Sequence, residues 1–195
     1  YKRQMITYKN KSLMKEKILV TGGTGYIGSH TVVELQNAGY EVVIIDNLSN
    51  SSADVVDNIE KVSGIRPAFE KLDCLDFAGL DAVFTKYKGI KAIIHFAASK
   101  AVGESVQKPL LYYRNNLVSL INLLELMPKH GVEGIVFSSS CTVYGQPDEL
   151  PVTEKAPIKK AESPYGNTKQ INEEIVRDTV ASGAPILSLI HISEP

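Results

Sequence analysis

Tyr165 and Lys169 stand four residues apart in Tyr165-Gly166-Asn167-Thr168-Lys169, so on a helix they share one face. That spacing has a chemical use. A phenol titrates near pH 10 and is a poor base at neutrality, whereas an ammonium ion one turn away favours the phenolate. By itself such a pair is equally an exposed helix start with a cation on its face. Ser140 is the third candidate, in Phe137-Ser138-Ser139-Ser140-Cys141-Thr142-Val143-Tyr144-Gly145. Its hydroxyl can bridge a substrate oxygen and Tyr165. Three consecutive serines can also be a plain polar strand exit.

A second group of residues suits a phosphate. Gly22-Gly23-Thr24-Gly25-Tyr26-Ile27-Gly28 follows the apolar run Ile18 to Thr21. A G-x-x-G-x-x-G pattern between a strand and a helix turns backbone amides toward a pyrophosphate. Gly22 permits the tight turn, Gly25 lets a ligand approach the backbone, and Gly28 allows close helix-to-strand packing. Without that context the glycines are only a flexible turn. Asp46 ends the next apolar run, 18 residues beyond Gly28, close to the spacing of an acid that binds adenosine ribose hydroxyls. A carboxylate there favours NAD over NADP. It repels a 2'-phosphate, and Asn47-Leu48-Ser49-Asn50-Ser51 offers no arginine to accept one.

These groups need a scaffold that brings distant segments to one edge. Strand-like runs occur at Ile18 to Thr21, Val42 to Asp46, Ala68 to Leu72, Ala92 to Phe96, Gly134 to Ser138 and Pro185 to Leu189. Helical stretches lie between them at Tyr26 to Ala38, Ala53 to Val62, Phe77 to Tyr87 and Pro109 to His130, and a further helix opens at Tyr165. This alternation predicts an α/β doubly wound parallel sheet, the Rossmann fold, over residues 14–189. Tyr1 to Leu13 is basic and aperiodic and reads as a disordered extension. Gln146 to Pro164, rich in Pro, Glu and Lys, reads as a long loop.

Composition narrows the class. A net charge of -1 leaves no cationic excess to hold a polynucleotide, so no nucleic-acid partner is expected. No uncharged apolar run is long enough to span a bilayer and the start lacks a signal-peptide core, which predicts a cytoplasmic protein with no membrane partner. The two cysteines, Cys74 and Cys141, lie far apart without clustered His or Cys, so neither a disulfide nor a metal is expected.

From about Lys17 to Leu189 these motifs together resemble the extended short-chain dehydrogenase/reductases, and within them the nucleotide-sugar 4-epimerases that interconvert UDP-glucose and UDP-galactose. The resemblance rests on Val20 to His30, Asp46-Asn47-Leu48, His95-Phe96-Ala97-Ala98, Lys100-Ala101-Val102-Gly103-Glu104-Ser105, Asn115-Asn116, Ser138 to Gly145 and Ser163-Pro164-Tyr165-Gly166. It implies NAD held by Gly22, Gly25, Tyr26, Ile27, Gly28, Asp46, Asn47, Asn50, Ser51, Asp73, Cys74, Phe96, Ala97, Ala98, Lys100, Asn115, Tyr165 and Lys169. It further implies catalysis by Tyr165, Lys169 and Ser140, with Ser140, Thr142 and Tyr165 facing a UDP-hexose. Tyr165 would take the proton of the hexose 4-hydroxyl while the hydride moves to a retained NAD. Related dehydratases carry an Asp-Glu pair after the matching threonine, and here no carboxylate lies between Ser138 and Gln146.

The resemblance also implies a homodimer through Pro109 to His130 and Tyr165 to Ala181. At Ile190 the wording departs from the family's, and residues 190–195 read as a tail outside it at a truncation. A substrate domain would then be largely missing, so weak NAD binding and little turnover are expected of this chain alone. Two other readings stay open: another NAD-dependent nucleotide-sugar epimerase such as a UDP-glucuronate 4-epimerase, and a non-catalytic NAD-binding module.

Overall fold

In the computed structural model, which describes residues 15–153 and 155–193, six strands form one parallel sheet. They are β1 (Lys17–Thr21), β2 (Glu41–Asp46), β3 (Ala68–Lys71), β4 (Ile90–His95), β5 (Gly134–Ser140) and β6 (Leu187–Ser193). The order β3-β2-β1-β4-β5-β6 reverses direction between β1 and β4. That reversal opens a crevice at the strand tips, the place where doubly wound sheets take ligands. The expected extension Tyr1 to Leu13 and the last two residues of the expected tail lie outside the described residues.

Helices α1 (Tyr26–Asn37), α2 (Asp54–Ser63), α3 (Phe77–Lys86), α4 (Val102–Gln107), α5 (Pro109–His130) and α6 (Pro164–Ala181) cover the sheet. Side chains alternate along each strand, so the two faces bury different clusters. Ile18, Val20, Val42 and Ile44 pack with Val32 of α1 and Ile59 of α2. Leu19, Val43, Ile45, Ile93, Ile135 and Phe137 pack with Leu80, Leu120, Leu123, Met127 and Val176 on the opposite face. α5 runs 22 residues because Pro109 starts it and Gly131, at φ +66°, ends it.

Three departures from the sequence reading matter for the crevice. β5 runs two residues beyond Ser138, which brings Ser140 to the strand's end, and the chain then tightens into a 3-10 turn at Cys141–Tyr144. α4 starts inside the Lys100 to Ser105 stretch and runs on to Gln107, and Gly103 and a length of six residues hide its helical period. β6 spans Leu187–Ser193 rather than Pro185 to Leu189, because it stays in register with β5 from Gly134↔Leu187 to Ser140↔Ser193. Ile190, where the resemblance fades, packs on the core.

Candidate active site

The glycine turn is held by backbone. Gly22, at φ +70°, donates to Ile45 O at 2.8 Å, and Gly25 donates to Gly22 O at 3.0 Å. A Cβ at Gly22 would lie 2.8 Å from Ala97 N, so the β1 and β4 exits touch here. A Cβ at Gly28 would lie 2.2 Å from Gly22 O, which is why α1 can start this close beneath the turn only with glycine. Gly25 caps α1 without a side chain of its own. The first amides of the helix are therefore left for a partner outside it. Tyr26, 79% exposed, and Ile27 point their side chains outward, so what they offer a ligand in the turn is backbone.

Asp46 sits at the tip of β2 and is tied into the same turn. Its Oδ2 accepts from Thr24 N at 3.2 Å, and its Oδ1 accepts from Leu48 N at 2.9 Å and Ser51 Oγ at 3.2 Å. Leu48 adopts φ +61°, a conformation rare outside glycine and costly unless its surroundings enforce it. Asn47 Nδ2 donates to Asp73 Oδ2 at 3.0 Å, joining the tips of β2 and β3. Cys74 turns inward. Its thiol is 6% exposed and is pushed up to about 12, first by burial and then by the charges of Asp73 and Asp46. Asn50 and Lys100 are exposed at the crevice rim.

The second cluster forms where α6 meets β5. Ser163 caps α6 by accepting from Gly166 N at 3.1 Å, and Pro164 follows it, which sets Tyr165 in the first turn. Thr142 donates to Ser140 Oγ from its hydroxyl at 3.0 Å and from its amide at 3.3 Å. Lys169 is 4% exposed; its Nζ donates to Ser138 O at 2.7 Å and lies 5.9 Å from the Tyr165 ring centre. Burial pulls Lys169 down to about 8 against the opposing charge of Glu173.

The phenol behaves otherwise than the Tyr-Lys spacing suggests. Burial raises the pKa of Tyr165 above its ordinary value, a hydrogen bond with Ser140 partly opposes this, and Cys141 adds to the rise. Lys169 directs its Nζ to Ser138 O, a backbone acceptor on β5. In this structure the protonated phenol is favoured, and ionisation at neutral pH needs positive charge from elsewhere.

Sequence reasoning named Asn115 for the cofactor but gave no role to Asn116, Ser99 or Thr168, which join the two clusters. Asn116, 1% exposed, accepts from Ser99 N at 2.8 Å and donates to Ser99 O and to Thr168 Oγ1. Thr168 in turn donates to Tyr165 O at 2.7 Å. A bridge thus runs from the β4 exit through α5 to the first turn of α6. Asn115 joins it by donating to Ser99 Oγ at 3.1 Å. The usable signal was an asparagine on the buried stripe of α5, four residues from both Tyr112 and Leu120.

Residues 18–192 match the family described as "NAD dependent epimerase/dehydratase family". The chain belongs to that family. Within it, the chain is 55% identical over 161 residues to the UDP-glucose 4-epimerase of Bacillus subtilis (strain 168), covering 83% of this chain and 47% of the relative. The crystal structure of UDP-glucose 4-epimerase from Bifidobacterium longum in complex with NAD+ and UDP superimposes with a TM-score of 0.86 at 44% identity, covering 89% of this chain and 52% of that one. The UDP-Glc/GlcNAc 4-epimerase from Campylobacter jejuni gives a TM-score of 0.84 at 38% identity, with 91% and 53% covered. The chain spans about half the length of these relatives. The family's fold accounts for the strand order seen here.

Proposed function

We propose that this chain is the NAD-binding part of an NAD-dependent UDP-hexose 4-epimerase, acting on UDP-glucose and UDP-galactose. The observation that carries the reading is the meeting of Ser140, Tyr165 and Lys169 at the β5 exit of the crevice that the glycine turn opens. The residues fit a dinucleotide. The side-chain-free cap at Gly25 leaves amides for the diphosphate, Asp46 stands at the β2 tip for the adenosine ribose, and Asn47, Ser51 and Asp73 border it. Phe96, Ala97 and Ala98 line the β4 exit. When bound, oxidised NAD would supply a hydride acceptor and a positive charge.

Within that arrangement Tyr165 takes the proton of the sugar 4-hydroxyl, its phenolate favoured by the added positive charge and by the hydrogen bond with Ser140. Ser140 and Thr142 hold the sugar oxygen in line. Lys169 orients the ribose side of the site and contributes charge. Turnover by the protein completed to its relatives' length is expected to fall about a thousandfold in Tyr165→Phe. UDP-galactose formation from UDP-glucose checks this, and a fully active variant removes the phenol from the reaction.

Asp46 is expected to set the choice of dinucleotide. In Asp46→Asn, which keeps an acceptor and loses the charge, the ratio of NADP to NAD affinity should rise about tenfold, a change of ~1.4 kcal/mol. Fluorescence titration with each dinucleotide measures it, and an unchanged ratio assigns selection elsewhere.

The proposal includes a homodimer and a cytoplasmic setting. Leu110, Leu111, Val118 and Ile121 are exposed on the outward side of α5, beside α6 with its exposed Val180. Such a two-helix apolar face suits a second copy of the chain. Among the described residues no helix is long and apolar enough to cross a membrane.

A further inference from the structure

The proposed reaction uses Ser140, Tyr165 and Lys169 and leaves a buried carboxylate beneath them without a task. Glu173 lies one turn beyond Lys169 on the same face of α6 and is 6% exposed. A carboxylate that deep is costly unless its oxygens are answered. Ser139 Oγ donates to Oε1 at 2.5 Å, and Arg177 Nη2 lies 3.5 Å from Oε2 at the edge of the helix. Consecutive turns of α6 therefore grip consecutive residues of β5: Lys169 holds Ser138 O, and Glu173 holds Ser139 Oγ. The next residue of the strand is Ser140.

The surroundings of the Lys169 ammonium are otherwise poor in negative charge. Tyr165 faces it from α6, the Phe137 ring lies 4.8 Å away on β5, and the Cys141 thiol sits beside Tyr165 at the strand exit. From β4 comes His95, kept neutral by burial. Arg177 is on the far side of the Glu173 carboxylate. Among these neighbours Glu173 is the one anion.

We infer that Glu173 is a positioning residue: anchored by Ser139 and Arg177, its carboxylate keeps Lys169 charged and fixes the height of β5 at which Ser140 meets Tyr165. The inference deepens the proposed function and draws its catalytic meaning from it, since a lysine that serves the phenol must hold its proton at neutral pH. Burial and Glu173 act on that proton in opposite directions.

The test follows the lysine directly. The chain is labelled with ¹³C at the lysine ε-carbons, the Lys169 signal is identified by its loss in Lys169→Arg, and its pH titration is read by NMR. In Glu173→Gln, which keeps an acceptor for Ser139, the midpoint is expected to fall by about one pH unit or more. Glu173→Asp should stay near the wild type. A Glu173→Gln midpoint equal to the wild type overturns the inference. If that variant does not fold, Glu173→Met, which fills the same buried volume without charge, poses the same question: the midpoint must again fall, and an unmoved or raised midpoint overturns the inference. No dinucleotide or turnover enters the measurement. A chain that fails to bind NAD therefore sinks the proposed function alone, and an unmoved midpoint sinks this inference alone.

Discussion

Gly28→Ala is expected to destabilise the chain by about 3 kcal/mol or more and to abolish dinucleotide binding. One methyl group achieves this because its place is taken: an added Cβ would lie 2.2 Å from Gly22 O and 2.9 Å from Gly23 Cα. Neither neighbour can retreat cheaply. Gly22 O accepts the Gly25 amide at 3.0 Å, while the Gly22 amide is fixed to Ile45 O at 2.8 Å, so moving the carbonyl disturbs both β2 and the turn. Gly22 itself is crowded by Ala97 N. The strain must therefore be relieved by lifting α1 away from the turn, which scatters the amides at its start. Gly103→Ala is the matched control, since a Cβ in α4 meets nothing within 4 Å and alanine is the better helix former. Urea denaturation and an NAD titration on the two variants should separate them sharply. Equal midpoints would mean that the turn is loose, and the close packing argued for it would be wrong.

The contrast between these glycines also shows what a sequence discloses. The glycine turn and the helical placing of Tyr165 and Lys169 were legible because each is local: each lies within one turn or one strand-to-helix junction, where spacing alone fixes which groups face together. The six strands and five of the six helices were legible for the same reason, since apolar alternation and glycine stops act over a few residues. Contacts between elements were not. Asn116 reads as one polar letter in a helix until α6 places Thr168 against it, and Glu173 reads as a surface acid until β5 places Ser139 against it. α4 has too few residues to show a period, and β6 is carried past Leu189 by its pairing with β5. The fate of the Tyr165 proton belongs to this class. Spacing puts a cation one turn away, but burial depends on every element that closes over the phenol, and here burial is the largest influence on its proton, opposed by the Ser140 hydrogen bond.

His95 is a buried titratable group between the β1 and β4 exits. It ends β4 at 2% exposure, with Nδ1 2.7 Å from Thr21 Oγ1 and its ring stacked on Phe137. Thr21 Oγ1 also accepts the Ala97 amide at 3.4 Å, leaving the hydroxyl proton for the neutral imidazole. Burial first, and then the charge of Lys169, lower His95 to about 3. In the unfolded chain the ring titrates near pH 6.5. Between those values the unfolded chain carries a proton that the folded chain refuses, so stability is complete above about pH 6.5 and drains as pH falls. The carboxylates held low by their partners, Glu70, Asp81 and Glu104, add their own loss only below about pH 4.5, where such groups begin to protonate when unfolded. The interval from pH 6.5 to 4.5 therefore isolates the histidine, and it is expected to cost about 3 kcal/mol there, one proton over two pH units. His95→Gln, which can still accept from Thr21, should flatten that stretch of the stability curve. If urea midpoints of the two proteins run parallel across it, His95 is not the group that unfolds this chain in acid. Because the folded chain keeps this ring neutral, the Thr21 link between the β1 and β4 exits persists over the same interval, so dinucleotide affinity in the wild type should hold while its stability falls.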